Sequence, residues 1–194
     1  MNDFATFLGL GFHHITAPTA LDHLLFLVAL VAPYRPRDWR HLLAVASALT
    51  VGHSITLALV VTGTARLPTT LIEFLIPVTI VMAGLENLRR PGFRPKGWIR
   101  PALAGGFGLV HGAGFANFLR DMFTGPIGVP LLAFNIGIEL GQVAILTAAL
   151  IALTAVDRLA ARGAHRSGLR VRAIAASLVV SVWAAVMAAG RTPW

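Results

Sequence analysis

The chain contains no cysteine, which removes disulfides, thiolate zinc sites and cysteine nucleophiles and leaves the redox compartment undetermined. Any metal chemistry falls to histidine, carboxylate or amide ligands. Charge is scarce as well: Asp, Glu, Lys and Arg make up 12% of the 194 residues, about half the share usual in a soluble domain. The four methionines, Met1, Met82, Met122 and Met187, form no cluster, so a thioether conduit for Cu(I) is disfavoured. The N-terminus has no basic stretch followed by a small-residue cleavage site, so the first apolar segment is expected to be retained. A glycine-rich nucleotide loop is also missing, and with it any energy-coupling module. What the chain does have is apolar surface. AVILMFWYC residues fill 56% of positions and the mean hydropathy is +0.76, so the bilayer is the expected solvent.

Six apolar segments can be marked: Phe7 to Ala32, His41 to Val61, Thr70 to Leu88, Ala102 to Leu119, Val129 to Ala152 and Val171 to Ala189. Each is about long enough to cross a hydrocarbon core of ~30 Å. Turn and charge signals separate them: Pro33-Tyr-Arg-Pro-Arg, Gly63 to Pro68, Arg89-Arg-Pro-Gly, Gly125-Pro-Ile-Gly and the run from Asp157 to Arg172. The expected fold is therefore an all-α integral membrane protein of six transmembrane helices, with residues 1–194 forming one helical bundle domain. His13, His14, Thr16, Pro18 and Thr19 interrupt the outer half of the first segment. A broken first span is expected, because irregular backbone at membrane depth persists only beside protein or water.

The net charge of +8 resides mainly in loops. Arg35, Arg37 and Arg40 fall in the first; Arg89, Arg90, Arg94, Lys96 and Arg100 in the third; Arg158, Arg162, Arg166, Arg170 and Arg172 in the fifth. Arg66 and Arg120 are alone in the second and fourth, and Arg191 is at the tail. The positive-inside rule then makes the odd loops cytoplasmic and puts both termini outside, the periplasmic side of a bacterial-type inner membrane. Head groups, not nucleic acid, are the expected partners of this charge.

Of eight acidic residues, Asp3, Asp38, Asp121 and Asp157 lie in loops or at the tail, whereas Asp22, Glu73, Glu86 and Glu139 fall within spans. A charged side chain near the bilayer centre costs at least ~2.5 kcal/mol on insertion scales, so it usually faces the bundle interior and marks a functional path. At 1.5 Å per helical residue, Asp22 and His23 lie ~15 Å from the inner end of their span, His53 ~18 Å, His111 ~14 Å, and Glu139 ~15 Å from the outer side. All five approach the midplane together. Carboxylates that offset a 2+ ion and neutral imidazoles that supply borderline-soft nitrogen would suit Ni, Co, Zn or Fe(II). The candidate metal ligands are Asp22, His23, His53, His111 and Glu139.

Asn135, Glu139 and Gln142 share one helix face; they either complete a coordination or outer shell or hold helices together by hydrogen bonds. Glu73 is expected near the outer mouth and Glu86 near the inner one, where interfacial solvation or ion pairing of Glu86-Asn87 with Arg89 and Arg90 also accounts for them. His41 and His165 stand beside basic loops. Gly105, Gly106, Gly108, Gly112 and Gly114 around His111, and Gly137 and Gly141 around Glu139, allow close helix approach.

His14-Ile15, Asp22-His23-Leu-Leu-Phe-Leu, Gly52-His53-Ser54-Ile-Thr-Leu, Glu86-Asn87-Leu88, Gly108-Leu-Val-His111-Gly-Ala-Gly-Phe-Ala and Asn135-Ile-Gly-Ile-Glu139-Leu-Gly-Gln142 together resemble the HupE/UreJ family, and more closely its second branch. The resemblance runs in order through five spans, over residues 11 to 145. It implies a small membrane protein of the kind regarded as a nickel or cobalt permease, with His14, Asp22 and His23 as metal ligands or entry residues and His111 as the histidine of the family's His-Gly motif. His14 stands further ahead of Asp22 than the family pattern has it.

Three readings follow from these residues. The first is a permease for a divalent ion that passes Glu73, binds at the midplane and leaves near Glu86. In the second, an intramembrane hydrolase, the same residues would hold zinc with an open position for water. The third is a structural or haem-holding subunit, although no Cys-x-x-Cys-His motif exists. Gly11-Phe-His-His14 also echoes Gly108-Leu-Val-His111, at the starts of two three-span halves that would run in opposite directions.

Overall fold

A computed structural model describes residues 4–89, 97–122, 126–160 and 168–193 of the chain. Asp3, Arg90, Arg94, Lys96, Gly125, Arg162, His165 and Arg166 lie outside the described residues. All regular structure among the described residues is helical: α1 (Phe4–Thr16), α2 (Leu21–Val31), a 3-10 turn (Pro36–Asp38), α3 (Trp39–Val61), α4 (Thr69–Arg89), α5 (Ile99–Met122), α6 (Gly128–Ala160) and α7 (Gly168–Ala189). Helices α3 to α7 are each long and apolar enough to cross a membrane, and α1 with α2 makes a sixth span bent by 70°. The protein is an all-α, multi-pass bundle whose first span is in two pieces.

The break follows from the sequence. Pro18 has no amide hydrogen and disfavours helical geometry at Ala17, so α1 ends at Thr16 and the chain turns through a bond from the Ala20 amide to the Ala17 carbonyl, 2.9 Å. Pro33 ends α2 in the same way. Helix α4 passes through Pro77 without stopping, and the Thr79 hydroxyl donates to the Ile76 carbonyl, 2.7 Å, beside the missing amide. Gly63, at φ 74°, closes the C-terminus of α3 in the left-handed conformation that favours glycine.

Two seams between parallel helices dominate the packing. In one, α1 lies on α6: a Cβ at Gly11 would overlap the Phe134 carbonyl, and one at Gly137 the Leu8 carbonyl. In the other, α3 lies on α5: a Cβ at Gly108 would overlap the Leu49 carbonyl, and one at Gly52 the Gly105 carbonyl. The seams correspond residue for residue, each helix shifted by a constant number of positions. Gly11 against Phe134 and Ile138 matches Gly108 against Leu49 and His53; Gly137 against Leu8 and Phe12 matches Gly52 against Gly105 and Leu109. The third seam, α4 against α7, joins the last helices of the two halves. The four-residue echo in the sequence is thus the visible part of an inverted repeat, in which His14 and His111 are counterparts.

Polar latches close the end of the bundle where α2 finishes. The Asn87 amide donates to the Ala29 carbonyl, 2.7 Å, and the Ser177 hydroxyl, 3.1 Å, while Arg100 donates to its Oδ1, 2.7 Å. Arg100 also pairs with Glu86, 2.6 Å, so among the described residues Glu86 has an ion-pair partner in α5, while Arg90 of the expected pairing lies outside them. Arg172, buried at 6% exposure, donates to the Ala32 carbonyl at 3.1 Å, to the Tyr34 carbonyl, and to Asp157 at 2.7 Å. Orphan carbonyls at the end of α2 need donors, and Pro33 offers none. Two of the arginines counted as loop charge are therefore structural bonds. Asp157 belongs to helix as well, because α6 runs to Ala160, eight residues beyond the end expected at Ala152. Burial pushes the phenol of Tyr34 up to about 12, so it stays neutral at the bottom of this latch.

Candidate functional site

Four histidines from four helices meet inside the bundle. His14, on the last turn of α1, has its ring centroid 4.7 Å from His23 at the start of α2 and 5.9 Å from His53 of α3; His23 is 5.5 Å from His111 of α5. The bend at Pro18 is what folds His14 back on His23. The glycine seam brings α5 close enough to α3 for Gly112 to face the His53 carbonyl without room for a Cβ. Phe115 covers His14 at 4.0 Å and stacks on Phe134 at 5.5 Å.

Hydrogen bonding fixes two of the tautomers. Asp22, in the first turn of α2 where the helix dipole favours a carboxylate, accepts from the His23 backbone amide and from its ring Nδ1, both at 2.9 Å. The proton of neutral His23 is then on Nδ1 and a lone pair remains on Nε2. Thr79 has one hydroxyl proton, already given to Ile76, so it accepts from His111 Nε2 at 3.0 Å and leaves the His111 lone pair on Nδ1. Those two atoms, His23 Nε2 and His111 Nδ1, are buried without a hydrogen-bond partner, as are Nε2 of His14 and of His53. Buried polar atoms are rarely left so. Among the described residues, however, no three His, Asp or Glu side chains are arranged to hold one metal ion. The imidazoles form a chain.

A cavity of about 430 Å³ opens onto this chain, lined by His14, Asp22, His23, Glu73, His111 and Arg191. These residues come from the end of α1, the start of α2, the start of α4, the middle of α5 and the tail after α7, so the cavity opens at one end of the bundle. A second cavity, of about 250 Å³, is lined by Phe26, Phe107, Glu86, Arg89 and Arg100 at the opposite end. Between the two stands Phe26, 1% exposed, with its ring 5.1 Å from His111 and 5.8 Å from Phe107. One aromatic layer divides the histidine vestibule from the second cavity.

Glu139 is placed apart from the histidine chain. Its Oε1 accepts from the Ser47 hydroxyl, and Ser47 is six residues before His53, about 9 Å along α3. Asn135 donates back to the Leu131 carbonyl of its own helix, 2.9 Å, while its Oδ1 and the Oε1 of buried Gln142 are unpartnered. Glu73 is at the vestibule and exposed. Sequence reasoning missed Thr79, Ser47, Phe26, Phe115 and Arg191, which are ordinary residues for a span or a tail and stand out only through what they touch.

A six-span helical bundle with imidazoles on four helices, each with a buried ring nitrogen, defines a polytopic membrane protein with a polar interior. The family model of the HupE / UreJ protein matches residues 1–188, and the chain belongs to that family, one associated with nickel and cobalt transport. No curated protein and no solved structure matches the chain.

Proposed function

We propose that the protein is a permease for a divalent transition-metal ion, Ni2+ or Co2+ in kind with Zn2+ close in chemistry, set in a bacterial-type inner membrane with both termini outside. The observation that carries the reading is the chain of four imidazoles with buried, unpartnered ring nitrogens, three of which, His14, His23 and His111, line the vestibule. Nitrogen donors of this kind suit the later divalent ions of the first transition row. Asp22 acts on the ion through His23: bonded to Nδ1, it turns Nε2 toward cargo and raises its basicity, as carboxylates behind ligating histidines do. Thr79 does the same for His111 with a weaker acceptor.

Transport calls for donors that hand an ion on, and imidazoles 4.7 to 5.9 Å apart, ring to ring, allow exchange between neighbours. A hydrolase instead needs three ligands already converged on one zinc. From the vestibule the ion passes Phe26 into the inner cavity and leaves by Glu86. Glu139, bonded to Ser47, stands apart from this path and lines neither cavity. The membrane potential supplies drive, since two charges moving through 100 mV are worth about 4.6 kcal/mol.

The test is elemental analysis of the detergent-purified protein after exposure to Ni, Co, Zn, Cu and Fe, comparing wild type with His23→Ala and His111→Ala. Near-stoichiometric metal in the wild type and its loss in both variants is expected, with flux of the same metal into liposomes. A folded wild type that retains no metal would overturn the proposal.

A further inference from the structure

Arg191 has no part in the path just described, yet it lines the same vestibule as His14, His23 and His111. Helix α7 ends at Ala189, and two bonds, Gly190 amide to Val186 carbonyl and Arg191 amide to Ala188 carbonyl, both 3.1 Å, fix the backbone that follows. From there the side chain reaches back across the mouth, with Nη1 4.0 Å from Asp22 Oδ2. The other oxygen, Oδ1, already accepts twice from His23. Oδ2 is therefore the half of the carboxylate left for the vestibule, and the guanidinium stands over it. No other Lys or Arg is among the described residues lining this cavity.

We propose that Arg191 is a tethered cation that sets the charge selectivity of the vestibule; the inference rests on reading the vestibule as an ion entrance. A guanidinium keeps its charge at every working pH and is weakly hydrated. At 36% exposure and 4.0 Å, it neutralises Asp22 without a close hydrogen bond, and half-exposed pairs of this kind are readily displaced. A monovalent ion arriving at Asp22 brings no more charge than Arg191 already supplies and gains nothing from imidazole. A divalent transition ion brings twice the charge and binds the ring nitrogens beyond, so it displaces the guanidinium where sodium and potassium do not.

The absence of native cysteine allows a clean test. Thr19, exposed at the vestibule rim, is changed to Cys as the only thiol, and in liposomes its modification rates by a trimethylammonium thiosulfonate and by a sulfonate analogue are compared. Removing one unit charge several ångströms away should raise the cation-to-anion rate ratio about fivefold in Arg191→Gln, while Arg191→Lys stays near wild type. Sodium should protect the thiol in Arg191→Gln alone. A ratio that Arg191→Gln leaves unchanged, in protein that remains monodisperse, overturns the proposal. If the ratio rises but Ni2+, Co2+ and Zn2+ protect the thiol in neither protein, the charge role of Arg191 stands and the metal reading of the vestibule falls.

Discussion

Gly106 and Gly108 are two residues apart on α5, yet replacing each with alanine should move stability in opposite directions. A Cβ on Gly106 meets nothing within 4 Å, so alanine there only limits the unfolded chain and favours helix, a gain of roughly 1 kcal/mol. A Cβ on Gly108 would fall 2.9 Å from the His53 amide nitrogen and closer still to the Leu49 carbonyl, where ordinary contact begins at 3.4 Å. Both obstacles are backbone of a continuous helix, so neither can rotate away. The helices must part by about 1 Å, and overpacking of this kind costs roughly 1–3 kcal/mol. The propensity gain is common to both variants, so their difference isolates the packing cost. Thermal unfolding in detergent, followed by the fluorescence of the four tryptophans, should put Gly108→Ala below Gly106→Ala by about 2–12 °C at ~2–4 °C per kcal/mol. The mirrored pair should repeat the contrast, because Gly9 has open space and Gly11 has the Phe134 carbonyl. Equal melting temperatures for Gly106→Ala and Gly108→Ala would refute the seam.

Two further outcomes follow from buried groups. Arg172→Met strips the Ala32 and Tyr34 carbonyls and Asp157 of their donor, and breaking such a buried pair costs about 3–5 kcal/mol; urea unfolding should show it, and Asp157→Asn in the same background should recover part of the loss. Phe26→Ala opens the layer between the two cavities, so metal flux into liposomes should rise while binding in detergent is retained; a variant that binds but leaks no faster would place the barrier elsewhere.

Hydrophobic run length was enough to find all six spans, since crossing the bilayer fixes the number of apolar residues each needs. Pro18 announced the break, but the 70° angle depends on what α1 and α2 separately pack against, which local sequence does not encode. Isolated histidines in apolar runs stood out for the same physical reason that makes them costly. Glu139 stood out equally, and depth alone grouped it with them; depth says nothing of which way a helix face turns, and its face meets Ser47. The arginines were the least legible. Counting them by loop gives orientation, whereas Arg100, Arg172 and Arg191 act through carbonyls and carboxylates far away in sequence.

The break at Pro18 makes the first span a joint. Its first arm, α1, is riveted backbone to backbone onto α6, whereas its second arm, α2, rests on α4, α6 and α7 and barely touches α1. His14 rides on the first arm and the Asp22-His23 pair on the second, so the 4.7 Å between their rings is a gauge of how far the joint is folded. An ion bridging those rings would splint it, and its departure would free it. On the proposed reading, grip on an ion and the setting of the joint would be a single coordinate.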